Sequence, residues 1–337
     1  MKAVAYKNSL PITDADSLLD VELDEPKATG RDLLVRVKAI SVNPVDTKVR
    51  KRVQPEPGEF KVLGWDAVGT VEAVGEEVSM FTPGDEVWYA GTINRQGTNA
   101  ELHIVDERIV SLKPKSLDYA QAGALPLTSI TAWELLFDRL AIPRNRQKSE
   151  ATLLIIGAAG GVGSILTQLA SKLTSVTVIG TASREASIDW IKDLGADYVI
   201  NHNQSLAAEL ERIGINHVTH VASLTHSDMH LKEIVEVMAP FGKLAMTDDP
   251  GAVDFTQLKT KSISLHWEFM FTRSLFQTDD MIEQHRLLSD VAHLIDDGTL
   301  KTTFAQHFGT VTATNLKRAH ALIENGESRG KIVLEGF

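Results

Sequence analysis

A cluster of glycines between an apolar run and a periodic segment has the residue types that hold phosphate groups. The turn Gly157-Ala158-Ala159-Gly160-Gly161-Val162-Gly163 follows the run 151–156, and apolar residues then recur at helical spacing as far as Leu173. Without Cβ atoms, backbone N–H groups at a helix start can approach a pyrophosphate, and the helix dipole favours its charge. The spacing predicts a dinucleotide site that uses Ala158, Gly160, Gly161, Val162 and Gly163. Because Ala158 replaces the first glycine of the usual pattern, a glycine-rich turn without a ligand is the alternative.

The end of the next apolar run, 176–179, indicates which coenzyme would bind. A carboxylate at this point holds the ribose of NAD, whereas neutral and cationic groups suit the 2′-phosphate of NADP. The chain has Ser183 and Arg184 here, and a guanidinium can pair with phosphate through two N–H groups. We therefore predict NADPH. Glu185 is the nearby carboxylate, and its alternative role is that of an ordinary acid in the first turn of a helix.

The elements that must position these residues alternate between strands and helices from about 128 to 268. After the glycine unit, the pattern predicts strand 198–200, helix 205–213, strand 217–223, helix 228–238, strand 243–247 after the turn 240–242, and a sixth strand near 263–266. Strands joined by helical crossovers form a doubly wound parallel sheet, which binds its ligand at the carboxyl ends of the strands.

Short strands with turns dominate the rest of the chain. Alternation predicts strands at 33–40, 68–75 and 85–90, with the turn dipeptide Pro83-Gly84 between the last two. The tail shows a helix near 279–297, an extended stretch at 300–304, a helix at 313–325 and a strand at 331–334. We predict a β-rich barrel domain over 1–127, completed by 269–337, a second domain over 128–268, and a cleft between them.

Composition limits the classes of partner. The 337 residues carry a formal net charge of −11 and include no cysteine. Nucleic acid and anionic membranes require a basic face, so neither is an expected partner. No apolar run approaches the length of a membrane span and the start of the chain has no signal-peptide core, so we expect a cytoplasmic protein. Without cysteine, thiolate zinc sites and disulfides are excluded.

Several motifs extend over nearly the whole length of the chain, namely the glycine turn and the segments 41–48, 64–75, 83–87, 124–133 and 329–333. With these motifs the chain resembles the medium-chain dehydrogenase/reductase superfamily, specifically its zinc-independent quinone oxidoreductase branch. The resemblance implies a GroES-like first domain, a Rossmann second domain, NADPH as coenzyme and a homodimer.

The resemblance also indicates chemistry without a metal. Zinc alcohol dehydrogenases bind their metal through cysteine and through the histidine of a Gly-His-Glu motif, and this chain has Gly64-Trp65-Asp66 there. We therefore expect no metal site. The histidines at 217, 220, 226 and 230 are interpreted as core or surface residues, because the first two point to opposite faces of a strand and no third ligand accompanies the other two.

By resemblance, Asn43, Asp46, Lys48 and Thr128 belong to the catalytic site, and His202 lies where the branch often places a phosphate contact. Lys48, where related reductases commonly have tyrosine, could stabilise an enolate or supply a proton, or could be a solvated residue at the rim. Asn43 could instead be a turn residue, Asp46 a helix N-cap and Thr128 the start of a helix. Trp65, Trp88 and Trp267 could stack against the acceptor, but core packing is the expected use of each.

The predicted function is reduction of a quinone or an α,β-unsaturated carbonyl by hydride from NADPH. Both kinds of small-molecule acceptor spread the arriving negative charge onto an oxygen, where a hydrogen-bond donor stabilises it. The alternatives are a zinc-dependent alcohol dehydrogenase, opposed by the missing ligands, and a non-catalytic NADPH-binding protein.

Overall fold

The computed structural model describes residues 1–145, 147, 150–326 and 328–337. These residues form a first unit, Met1–Ile130 with Phe271–Phe337, and a second unit, Thr131–Met270. The division predicted from the sequence differs from this one at residues 128–130 and 269–270.

The described residues form sixteen strands, ten α-helices and three short helices of other types. The strands are β1 Lys2–Tyr6, β2 Leu19–Glu22, β3 Asp32–Val42, β4 Lys61–Val62, β5 Asp66–Val74, β6 Glu86–Ala90, β7 Leu102–Asp106, β8 Val110–Leu112, β9 Thr152–Ile156, β10 Thr177–Thr181, β11 Tyr198–Ile200, β12 Val218–Ser223, β13 Met238–Met246, β14 Ser264–Trp267, β15 Phe304–His307 and β16 Lys331–Glu335. The α-helices are α1 Pro44–Arg52, α2 Tyr119–Gly123, α3 Pro126–Trp133, α4 Gly161–Leu173, α5 Glu185–Asp193, α6 Leu206–Arg212, α7 Ser227–Val237, α8 Thr272–Phe276, α9 Glu283–Asp296 and α10 Ala313–Glu324. A π-helix spans Glu134–Arg139, and 3₁₀ helices span Glu107–Ile109 and Phe255–Lys261.

The second unit is built on one parallel sheet in the strand order β11-β10-β9-β12-β13-β14. The residues Leu153–Ile156 of β9 are almost completely buried, which explains why the sequence shows an uninterrupted apolar run there. Helices α4 to α7 provide the crossovers. The predicted doubly wound α/β sheet is confirmed, and its carboxyl edge is where such folds bind ligands.

Strand β13 differs from its prediction. The turn expected at 240–242 lies inside the strand, which runs from Met238 to Met246. Phe241 has a φ of 64°, and the pairing register with β12 shifts between Val218 and His220. A bulge of this kind absorbs the Pro-Phe-Gly segment without ending the strand, because pairing with β12 resumes at Lys243.

The first unit is β-rich, as predicted. One sheet has the order β2-β1-β4, and a larger one has the order β15-β16-β3-β5-β6-β8, with β7 also paired to β3. The inward residues of β3, from Leu33 to Ala39 at alternate positions, are buried. Strand β16 pairs antiparallel with β3, so the end of the chain completes the domain that its beginning started.

The tail elements are shifted from their predicted bounds. Helix α9 starts at Glu283 instead of near 279, and the extended stretch is β15, from Phe304, instead of 300–304. In the part of the chain that the structure describes, none of the helices combines the length and apolar character needed to cross a membrane.

Candidate functional site

The glycine turn joins the carboxyl end of β9 to α4. Gly157 has a φ of 83°, which favours glycine, and its N–H donates to Thr181 Oγ1 over 3.1 Å. A Cβ on Gly163 would lie 2.5 Å from the Gly157 carbonyl oxygen, so only glycine allows this approach of helix to turn. Gly160 is the N-cap of α4 and has no side chain to accept hydrogen bonds from the helix start. This cradle fits a pyrophosphate.

The segment after β10 lies at the same edge of the sheet. Ser183, Arg184 and Glu185 are all exposed. Arg184 is the N-cap residue of α5 and Glu185 is the first residue of that helix. Glu185 therefore has the position of an ordinary first-turn acid, which the helix dipole stabilises.

Basic side chains gather near this edge around His202. The ring centroids of His202 and His230 are 6.2 Å apart. Burial lowers the pKa of His202, and the charges of His230, His226 and Arg184 lower it further. Its Nδ1 atom is buried without a hydrogen-bond partner among the described residues. The lowered pKa keeps His202 neutral at pH 7, so its ring can offer an anion a hydrogen bond but no charge.

In the first unit, Asn43 belongs to a buried polar network. Its Nδ2 donates to Asp66 Oδ2 over 2.7 Å, and its Oδ1 accepts from the ammonium of Lys331. Asp66 also accepts from Ser41 Oγ over 2.6 Å and from the N–H of Leu127 over 2.6 Å. Lys331 lies 3.1 Å from the same carboxylate. The network therefore fixes both ends of the Asn43 amide.

Asp46 lies beside this network and is 1% exposed. It is the third residue of α1, where it accepts from the N–H of the N-cap residue Asn43 over 2.7 Å, so the alternative that Asp46 is the N-cap is wrong. Burial raises the pKa of Asp46 to about 7, although the Asn43 hydrogen bond and the Lys331 charge act in the opposite direction.

The two remaining predicted catalytic residues have different surroundings. Lys48 is half-buried on α1, two residues beyond Asp46. Thr128 is 2% exposed, and its hydroxyl donates to the Leu125 carbonyl over 3.0 Å, a contact typical of a helix start. The structure thus brings Asn43 and Asp46 into one network, while the roles of all four residues stay predictions.

Trp65 occupies the position of the zinc-binding histidine. It is 1% exposed, its indole N–H donates to the Thr92 carbonyl over 3.2 Å, and its ring meets Phe271 edge to face at 5.8 Å between centroids. Packing is confirmed for Trp65 and Trp88, whereas Trp267 is 51% exposed and the core interpretation is wrong for it. The described residues contain no group of three or more histidines and acids placed to hold a metal ion.

Asp66 and Lys331 complete the Asn43 network, and the sequence interpretation missed both. In the sequence, Asp66 belongs to the altered zinc motif and Lys331 to the segment 329–333. The sequence does contain a signal for Lys331, because this lysine begins the apolar run 331–334. A lysine in such a run either extends its ammonium to solvent or pairs with a buried acid.

Two sequence families match the chain. Residues 29–115 match the alcohol dehydrogenase GroES-like domain, and residues 194–334 match the zinc-binding dehydrogenases. A zinc-type alcohol dehydrogenase-like protein of Staphylococcus aureus strain MSSA476 is 39% identical over 340 residues, which cover 99% of each chain. The chain therefore belongs to the zinc-type alcohol dehydrogenase-like family of the medium-chain dehydrogenase/reductase superfamily, and it is an oxidoreductase of that superfamily.

Solved structures give the same assignment. A protein from Rhizobium etli CFN 42, provisionally named a zinc-dependent alcohol dehydrogenase, has a TM-score of 0.96 and 54% identity, covering 100% of this chain and 98% of that one. A quinone oxidoreductase of Pseudomonas syringae has a TM-score of 0.83 and 25% identity, covering 99% of each chain. A mycobacterial protein in complex with NADPH has a TM-score of 0.84 and 26% identity, covering 99% and 100%.

Proposed function

We propose that this oxidoreductase uses NADPH to transfer a hydride to a quinone or to the β-carbon of an α,β-unsaturated carbonyl, without a metal ion. The observation that carries the proposal is the meeting of the glycine turn with Ser183 and Arg184 at one edge of the parallel sheet. The NADPH complex of the mycobacterial protein supports the coenzyme, and the Pseudomonas syringae enzyme supports the class of acceptor.

The second unit would bind the coenzyme through backbone and side chains in separate places. The N–H groups of Gly161, Val162 and Gly163 would hold the pyrophosphate at the start of α4. Ser183 and Arg184 would hold the 2′-phosphate, and the His202 ring would offer it a further hydrogen bond from its unpartnered Nδ1 atom. The bound nicotinamide would supply the hydride.

The first unit would stabilise the negative charge that develops on the acceptor oxygen. Lys48 would donate a hydrogen bond or a proton to that oxygen, because it is the half-buried cation nearest to the Asn43 network along α1. Asp66 and Lys331 would keep the Asn43 amide in one orientation, since each binds one end of it.

The choice of coenzyme is tested by binding titrations with NADPH and NADH. Arg184→Ala removes a charge-assisted contact to the 2′-phosphate, so it should weaken NADPH binding by roughly tenfold or more and leave NADH binding unchanged. Arg212→Ala is the matched control, because Arg212 is an exposed arginine of the same unit that pairs with Glu209. Equal loss for both coenzymes, or a preference of the unchanged protein for NADH, contradicts the proposal.

The choice of acceptor is tested by NADPH oxidation with quinones, alkenals and simple aldehydes. Lys48→Ala should reduce the rate with quinones and alkenals by about a hundredfold, the usual size of a general acid's contribution, whereas Lys51→Ala on the same helix should not. Stoichiometric zinc in the purified protein would favour the zinc-dependent alternative. Tight NADPH binding without oxidation by any acceptor would favour a non-catalytic protein.

A further inference from the structure

Three histidines of the second unit lie together at the carboxyl edge of the sheet. His202 lies two residues beyond β11, His226 is the N-cap residue of α7, and His230 lies one helical turn further along α7. The ring centroids of His202 and His230 are 6.2 Å apart, and the rings meet edge to face at 77°. The backbone N–H of His230 donates to the His226 carbonyl over 3.2 Å, a spacing that places both side chains on one side of the helix. The three side chains therefore form one cluster from two separate elements.

The cluster adjoins the end of β10, because β10 and β11 are neighbouring parallel strands that pair as far as Thr181 and Ile200. Arg184 therefore follows β10 beside the residues that lead from β11 to His202, and its charge acts on the His202 ring. A 2′-phosphate held by Arg184 would lie next to His202. The His230 ring, which packs against that of His202, would then be the next group in line.

His202 has a buried ring nitrogen that lacks a partner. Its Nδ1 atom makes no hydrogen bond within the described part of the chain, whereas the Nδ1 atom of His226 lies 2.7 Å from Thr225 Oγ1. A buried polar atom without a partner is unfavourable, and a phosphate oxygen can accept a hydrogen bond from an imidazole N–H. The His202 ring is thus suited to donate to a phosphate.

Two acids of α7 act on the His230 ring. Glu233, one turn further along the helix, accepts from the N–H of Leu206 over 2.8 Å, and Asp228 is exposed. Burial lowers the pKa of His230 and His226 acts in the same direction, while Glu233 and Asp228 oppose them. Further charged groups at this end of the sheet are Arg184, Glu185 and the ion pair of Glu209 with Arg212.

A bound phosphate dianion would change the protonation of these rings. In the free protein His202 and His230 are neutral at pH 7, because burial lowers the pKa of both. A negative charge within about 4–6 Å favours the protonated imidazole and raises its pKa by roughly 1–3 pH units. His202 has the guanidinium of Arg184 beside it, whereas His230 has acids beside it. An added proton is therefore more stable on His230.

We propose that His230 takes up a proton when the 2′-phosphate binds at Arg184 and His202, so that His230 makes the preference for NADPH over NADH depend on pH. The inference rests on the proposed coenzyme function. The proton comes from solvent and stays on the His230 ring, and no bond of the coenzyme is formed or broken. Because the proton binds together with the phosphate, NADPH binds more tightly as the pH falls. NADH lacks the phosphate and gains nothing.

Isothermal titration in buffers of different ionisation enthalpy measures the protons taken up on binding. At pH 7 the unchanged protein should take up about half a proton more with NADPH than with NADH, because the raised pKa of His230 then lies near neutrality. From about pH 8 to about pH 6.5, the ratio of the NADH to the NADPH dissociation constant should rise by about three- to fivefold. The range ends there because a phosphate monoester itself takes up a proton near about pH 6.

His230→Gln keeps a polar side chain at this position and cannot take up the proton. The variant should bind NADPH as the unchanged protein does at pH 8, lose the extra proton uptake and make the ratio of dissociation constants nearly independent of pH. His217→Gln is the matched control, because His217 is an exposed histidine that precedes β12 at the opposite edge of the sheet. Circular dichroism establishes that each variant is folded.

NMR titration of the His230 ring in the unchanged protein tests the inference without relying on a variant's affinity. The Cε1–H resonance of His230, assigned by its loss in His230→Gln, should titrate at a higher pH with NADPH bound than in the free protein or with NADH. An unshifted titration with NADPH bound, or a pH-dependent ratio that persists in His230→Gln, overturns the inference even if NADPH is the preferred coenzyme. Failure to bind either coenzyme, or a preference for NADH at every pH, overturns the proposed function instead.

Discussion

Each unit buries acids beside a cation, and the acids differ in the donors that surround them. In the first unit, Asp66 accepts from a hydroxyl, an amide, a backbone N–H and the Lys331 ammonium, and Asp46 accepts from a backbone N–H. In the second unit, Glu268 accepts from Arg139, and its other oxygen has no N–H donor among the described residues.

The number of donors around a buried acid decides how strongly the fold favours its carboxylate form. Donors fixed by the fold favour the carboxylate, whereas a carboxyl group that lacks them is more stable when protonated. Asp66 is therefore suited to hold Asn43 in place, whereas burial raises the pKa of Asp46 and of Glu268, which have fewer donors. Substitutions at the cations and acids of both clusters test the comparison.

The largest expected effect belongs to Lys331→Met. Removing the ammonium leaves Asp66 buried beside Asp46 without its cation, and breaking a buried ion pair in this way costs about 3–5 kcal/mol. The free energy of unfolding in urea measures the loss. Lys301→Met is the control, because Lys301 is an exposed lysine of the same unit.

The double variant Lys331→Met with Asp66→Asn sharpens this prediction. Because the asparagine needs no cation, it should recover a large part of the loss if the uncompensated charge is the cause. An effect of Lys331→Met below about 1 kcal/mol would place the pair among ordinary surface salt bridges and remove the basis of the comparison.

His320 provides the opposite case, a base surrounded by cations. It is completely buried, neither ring nitrogen has a partner among the described residues, and burial with the charges of Arg50 and Lys51 lowers its pKa to about 3. Below about pH 6.5 the unfolded chain binds a proton that the folded chain does not, so stability should fall by about 1.4 kcal/mol per pH unit from this group.

Unfolding experiments across that pH range test His320 directly. His320→Leu should flatten the acid limb of the stability curve, and His293→Leu, at an exposed position of α9, should leave it unchanged. A variant with the same acid limb as the unchanged protein would show that His320 takes up its proton in the folded state.

The strands and helices of the second unit could be predicted from the sequence, because apolar runs and helical periodicity depend on residues that are close together in the chain. The buried run of β9, the glycine turn and the periodicity of α4 all lie within about 25 residues, less than the span of one βαβ unit. The prediction of a turn at 240–242 was wrong, because pairing with β12 outweighed the local preference of Pro-Phe-Gly for a turn. Tertiary pairing was not visible in the segment itself.

The two charged clusters could not be predicted, because each depends on pairing across long stretches of chain. Lys331 reaches Asp66 only because β16 pairs with β3, which brings residues 265 positions apart together. Glu134 and Glu268 meet through the π-helix and the end of β14, and helical periodicity gives no sign of a π-helix. A charged residue is expected at the surface until a partner is known.

Glu268→Gln gives the smallest expected effect and the sharpest contrast with Asp66→Asn. Asp66→Asn leaves the buried Lys331 without its carboxylate and should cost about 3 kcal/mol. Glu268→Gln keeps the shape of the side chain and should change stability by less than about 1 kcal/mol at neutral pH, because the raised pKa of Glu268 means that the substitution removes little buried charge. The pKa of Glu268 is raised in the folded state, so its contribution is present at low pH and is lost as pH rises through the folded-state pKa. The variant should therefore lose less stability than the unchanged protein on going to alkaline pH. Equal losses for Asp66→Asn and Glu268→Gln at neutral pH would show that donor number does not distinguish the two clusters.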